Sequence, residues 1–146
     1  MATNPAEQTV RELMRSDFIS TSGDESLLSV AQIMRLGRLR HLPVVDGSAL
    51  VGVVSHRDIL EASISRVEVV DRPERLRRLA SIDVREVMTT DPFTIGPEQT
   101  LEQAAIRMLR YKIGCLPVVD PNKNGGALVG LITESDLLRA VDYLNP

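Results

Sequence analysis

The chain has 146 residues, 25% of them charged, and a formal net charge of −3, a balance that argues against a general nucleic-acid or anionic-membrane binder. Apolar residues make up 43%, and a chain this long buries roughly two-thirds of its unfolded surface, so neither disulfides nor a metal are needed to fold it. Its one cysteine, Cys115, has no intrachain partner, and there is no secretory-type start and no apolar run of about eighteen residues. A cytoplasmic protein without membrane association is expected.

In chain order, residues 1–9 are polar and expected to fray. From Val10 the chain states one pattern twice. VRELMRSDFISTSGDESLLSVAQIMRLGRLRHLPVVD (Val10–Asp46) aligns without gaps on VREVMTTDPFTIGPEQTLEQAAIRMLRYKIGCLPVVD (Val84–Asp120). Ala49–Ala62 then matches Ala127–Ala140 after a four-residue insertion. Twenty of 51 aligned pairs are identical, and they fall in blocks, which marks a tandem duplication and predicts pseudo-twofold symmetry.

Each copy opens with a short helix or turn, VRELM or VREVM, followed by an extended segment, Ser20–Thr21 or Thr94–Ile95. Leu27, Ala31 and Met34 recur at helical spacing, as do Leu101, Ala105 and Met108, predicting amphipathic helices, the first over Leu27–Leu39. LPVVD is a β-branched run predicting a buried strand, joined by a turn to a second strand, LVGVVS or LVGLIT. A closing helix starts at His56 or Glu134. The order β-α-β-β-α gives an α+β class with helices packed on small sheets. The predicted boundaries are repeat one at 10–62, a linker or helix at 63–83, repeat two at 84–141 and a tail at 142–146. The linker carries Arg66, Arg72, Arg75, Arg77 and Arg78 against four acids. It reads as a solvated helix, or else as a basic patch for an acidic partner or phosphate.

Gly52-Val-Val-Ser55-His-Arg-Asp58 and its twin Gly130-Leu-Ile-Thr133-Glu-Ser-Asp136 are the most informative motif. Ser or Thr with an acid three residues on resembles a capping box, which satisfies orphan amides at a helix start. A helix N-terminus also seats phosphate, and a carboxylate there accepts from a ribose diol. Glycine before it lets a ligand approach the backbone. The two readings coexist.

The repeated L-P-V-V-D strand followed by G-h-h-[ST]-x-x-D, with V-x-x-V-M-T at Val84–Thr89, closely resembles the cystathionine-β-synthase (CBS) domain. Two copies make a CBS pair, or Bateman module, covering Val10 to Val141. The resemblance implies two clefts that bind adenosyl ligands: AMP, ADP, ATP or S-adenosylmethionine. It implies that Ser55, Asp58, Thr133 and Asp136 contact phosphate and ribose, and that Val53, Val54, Leu131 and Ile132 line adenine. It further implies that each cleft is completed by the other copy's opening segment and the two residues before its L-P-V-V. Those are Ser20, Thr21, Arg40 and His41 in copy one, and Thr94, Ile95, Gly114 and Cys115 in copy two.

Arg40 and His41 supply cations that Gly114 and Cys115 lack, so the two clefts are expected to be unequal. Arg40 also reads as a solvated helix end, and His41 as a backbone-bonded histidine at a strand edge. Two histidines and one cysteine make a metal site improbable, and Cys115 with His41 lacks the third group a nucleophilic pair needs, so no enzyme activity is expected. The expected function is a stand-alone regulatory module that senses energy or metabolite status and acts on an unidentified regulated protein. The competing reading is a dimerisation module with vestigial clefts. A homodimer is expected, because Ile33 and Leu36, with Ile106 and Leu109, widen the apolar arc of the first amphipathic helices beyond one face.

Overall fold

The computed structural model describes residues 4, 6–64 and 71–144. The chain forms two compact units, Ile19–Pro92 and a second that joins Met1–Phe18 to Phe93–Pro146. Each is α+β. Arg66 of the linker lies outside the described residues.

In the Ile19–Pro92 unit, helix α2 (Leu27–Gly37) begins at Ser26, whose hydroxyl accepts from the Ser29 amide at 3.1 Å. It ends two residues short of the expected Leu39. Arg38 turns into the left-handed region (φ 54°), and the Leu39 amide closes on the Met34 carbonyl at 2.9 Å. Strands β1 (His41–Asp46) and β2 (Ala49–Ser55) form a hairpin over a two-residue turn in which Gly47 takes φ 64°. Helix α3 (His56–Ser63) follows β2 directly. Helix α4 (Arg72–Ser81) is capped by Asp71 and has Pro73 in its first turn. Arg72, Arg75 and Arg77 are exposed, Arg78 is partly covered and Leu79 is buried, the pattern of a solvated helix with one anchoring stripe. A short 3-10 turn (Val84–Glu86) leads to β3 (Thr89–Thr90), which adds antiparallel to β2.

The core of this unit gathers Leu27, Val30, Met34, Leu42, Val44, Val54, Ile59, Leu79 and Val84. Ile33, expected to point away from it, is partly buried against it. Leu36 does point away, at 86% exposed. The extended segment of copy one joins β1 as a parallel bridge, Thr21 beside Val44, which completes β-α-β through α2.

The second unit repeats the plan with helix α5 (Leu101–Tyr111), strands β4 (Cys115–Asp120) and β5 (Ala127–Thr133), and helix α6 (Glu134–Leu144). Ile95 bridges Val118 as Thr21 bridges Val44. Its core is Val10, Ile95, Leu101, Ala104, Met108, Leu116, Val118 and Ile132.

Val10 belongs to this core because the opening segments are exchanged. Helix α1 (Val10–Leu13) of copy one packs in the second-copy unit, where the Val10 amide donates to Gln99 and the Arg11 amide to Pro97. Gln8 and Thr9, expected to fray, are held in the same unit. The Gln8 carbonyl accepts from the Leu101 amide at the start of α5, and Thr9 bridges Thr100. Conversely, Val84 and Arg85 of copy two donate to Glu25 and Gly23 in the first-copy unit. Among the described residues, no helix is long and apolar enough to cross a membrane.

Candidate functional site

Both copies place the Ser/Thr and Asp of the motif at the junction of a strand and a helix. In the first-copy unit the Asp58 amide donates to the Ser55 hydroxyl (3.1 Å), and the Ser55 amide donates to Asp58 Oδ2 (2.8 Å). In the second-copy unit the Thr133 amide donates to Asp136 Oδ2 (3.0 Å), and the Asp136 amide to the Thr133 hydroxyl (3.3 Å). These reciprocal bonds satisfy two orphan amides at each helix start. In each carboxylate they occupy one oxygen and leave the other for a second partner.

That second oxygen separates the copies. Asp136 is only 3% exposed, and its Oδ1 accepts from Arg15 Nε at 3.1 Å and from the Arg139 guanidinium. Burial pushes the Asp136 carboxyl up, but the bonds from Thr133 and the Arg15 guanidinium outweigh it and hold the carboxyl below its ordinary value. Among the described residues Asp58 makes no ion pair. Its unit has Thr89 where the other unit has Arg15, and Glu61 where the other has Arg139.

Arg15 and Arg139 escaped the sequence reading. Arg15 lies in the opening segment of copy one and reaches Asp136 only because that segment is exchanged: its amide donates to the Leu131 carbonyl (2.8 Å) and its carbonyl accepts from Leu131 (3.0 Å). Arg139, three residues after Asp136 on α6, was legible from helical spacing alone.

The residues flanking the motif are placed by strand register. His41 pairs with Ser55 and Cys115 with Thr133 across the two hairpins. The Arg40 carbonyl accepts from the His56 amide, and the Gly114 carbonyl from Glu134. Arg40, His41, Gly114 and Cys115 therefore each border the motif of their own copy. Thr21 and Ile95 likewise lie beside β1 and β4 of their own copy, and the segments that cross are Met14–Arg15 and Met88–Thr90. Ser20 is exposed, and the Thr94 carbonyl accepts from the Arg107 guanidinium.

Strand alternation divides the expected adenine wall. Val54 and Ile132 have no exposed surface and sit inside the two cores, whereas Val53 and Leu131 lie on the other face, and their backbones pair laterally with Thr89 and Arg15. The motif glycines take a role other than the one expected. A Cβ on Gly52 would lie 2.7 Å from Met88 Sδ and 2.8 Å from the Thr89 carbonyl oxygen. One on Gly130 would lie 2.7 Å from Met14 Sδ and 3.1 Å from the Arg15 carbonyl oxygen. What approaches the glycine backbone is the exchanged segment.

Two buried groups remain. The Thr21 hydroxyl is buried (6% exposed overall) and has no hydrogen-bond partner among the described residues, at the position that Ile95 fills in the other copy. Burial, with a smaller push from the Asp136 charge, raises the Cys115 thiol to about 12. It is protonated at neutral pH, the opposite of what a nucleophilic cysteine needs.

Comparison with known proteins places this architecture. The CBS domain family matches residues 10–73 and 84–143. The chain is 36% identical over 121 residues to inosine-5′-monophosphate dehydrogenase of Korarchaeum cryptofilum, covering 83% of this chain and 22% of that enzyme. It thus spans only about a quarter of the length of the curated enzymes it matches first. Among solved structures, CBSX2 in complex with AMP is 28% identical with a TM-score of 0.78, covering 95% of this chain and 99% of that one. The CBS domain pair of protein MJ0100, in complex with 5′-methylthioadenosine and S-adenosyl-L-methionine, is 25% identical with a TM-score of 0.74, covering 92% and 99%. With both copies matched and both units built on the same plan, the chain belongs to the CBS domain family as a tandem CBS pair.

Proposed function

We propose that the protein is a cytoplasmic regulatory module that binds adenosyl ligands, AMP, ADP, ATP or S-adenosylmethionine, at its two strand–helix motifs and reports their level to a regulated protein. Asp58 and Asp136 accept from the ribose hydroxyls, Ser55 and Thr133 border the phosphate or its replacement, and Val53 and Leu131 supply apolar contact. The likeness to pairs solved with AMP and with 5′-methylthioadenosine and S-adenosyl-L-methionine supports this ligand class. A single cysteine that pairs in no disulfide suits a reducing compartment.

The observation that carries the reading is the orphaned Thr21 hydroxyl. The capping boxes justify Ser55 and Asp58 without any ligand, but nothing in the fold requires a hydroxyl at Thr21, since Ile95 fills the equivalent place. A buried hydroxyl without a partner costs about 1–3 kcal/mol, which a polar ligand atom bonded to it would recover. Thr21→Val tests this. The variant should unfold at a higher denaturant midpoint than the parent, and it should bind AMP or S-adenosylmethionine more weakly at one of the two sites by calorimetry. A variant that binds as the parent does would assign Thr21 to packing alone.

The module acts as a homodimer in this reading. Leu36 (86%), Ile106 (48%) and Leu109 (79%) are exposed on α2 and α5, and a second copy would cover them. Light scattering at micromolar concentration should return twice the chain mass. A monomer with and without nucleotide would reject it.

A further inference from the structure

We infer that Arg15 and Arg139 make the second-copy unit selective for phosphorylated adenosyl ligands over neutral or cationic ones. This deepens the adenosyl reading and rests on it. To accept from a ribose diol, Asp136 must give up the guanidinium groups on Oδ1, while its other oxygen stays bonded to the Thr133 amide. An arginine released from a buried carboxylate loses a charge-assisted bond unless another anion replaces it. A ligand with a 5′-phosphate brings that anion into the same cleft.

Arg15 is suited to such a transfer. Its backbone is clamped to Leu131 by both its amide and its carbonyl, so the side chain swings from a fixed pivot. The side chains of Arg15 and Arg139 are 48% and 56% exposed, so neither is enclosed by the fold. A neutral thioether offers no replacement anion. A sulfonium adds a positive charge beside two arginines and is repelled. The first-copy unit has no such barrier, since Thr89 and Glu61 stand at these places and among the described residues Asp58 pairs with no cation.

The test uses the full chain carrying Asp58→Asn, which keeps a helix cap but weakens the first-copy site, so that calorimetry reads the second. With AMP and 5′-methylthioadenosine as probes, AMP should bind at least tenfold more tightly, and its affinity should fall as salt rises. Arg15→Thr, which installs the residue of the other copy, should weaken AMP and strengthen 5′-methylthioadenosine. The preference should drop about tenfold or more, the size of one lost charge-assisted bond. An unchanged preference in Arg15→Thr, or equal affinities before the substitution, would overturn the inference while leaving the adenosyl reading intact. If the unsubstituted chain binds neither probe, both fall together.

Discussion

Gly52→Ala is expected to destabilise the first-copy unit by about 2–3 kcal/mol, near the upper end of what overpacking a tight site costs. The added methyl would meet the Met88 sulfur at 2.7 Å and the Thr89 carbonyl oxygen at 2.8 Å, both below any normal contact. The sulfur ends a flexible side chain and can move, but the carbonyl belongs to β3, which pairs with β2 at this point. Relief therefore means unzipping β3, the strand that copy two contributes. Gly130→Ala meets the same sulfur distance, 2.7 Å from Met14, but a roomier carbonyl at 3.1 Å, so its penalty should be smaller. The rescue pattern is sharper than either value. Met14→Ala should restore most of the stability lost in Gly130→Ala, whereas Met88→Ala should restore only part of that lost in Gly52→Ala. Urea titrations of the four variants against their parents measure it. Equal rescue at both positions would mean that the carbonyl contact is unimportant and that β3 yields easily.

The second large effect falls on the paired aspartates. Asp58→Ala should lower adenosyl affinity of the first-copy unit by tenfold or more, because a carboxylate accepting from ribose makes charge-assisted bonds. Its stability should fall by only about 1 kcal/mol, the usual worth of a cap. Asp58→Asn keeps an acceptor for the cap but accepts less well from two hydroxyls, so it should lose affinity with little loss of stability. Unchanged affinity in both variants would reduce Asp58 to a capping residue.

Asp136 should behave differently. Asp136→Ala frees Arg15 and Arg139, whose half-exposed side chains rehydrate, so no stranded buried charge adds to the lost cap. Its contribution also depends on pH. The folded carboxyl titrates below the ordinary value of 3.8. Its charge therefore stabilises the fold fully above that value, and the contribution is lost as pH falls through the lower folded value. Acid unfolding of Asp136→Asn should consequently be less steep below pH 3.8 than that of the parent. Parallel curves would show that the arginine pairs add nothing to stability.

Much of this was legible in the sequence. The duplication, the β-α-β-β-α order, both hairpins and the helix starts at His56 and Glu134 follow from local patterns: apolar spacing, β-branched runs, turn glycines and capping pairs act between residues close in the chain. The same is true of the capping boxes, since their bonds span three residues. Tertiary structure alone decided what crosses between copies. That Met14 and Arg15 lie on β5, that Gly52 and Gly130 yield space to the exchanged segment, and that Arg15 reaches Asp136 over a separation of 121 residues leave no periodic trace. Aligning the copies even hides the last point, because it sets Arg15 opposite Thr89 and so makes an ion-pair partner look like an unremarkable difference. Local rules fix which residues form each strand and helix. Which unit an opening segment joins depends on where its Val10 or Val84 is buried, and both cores accept a valine there.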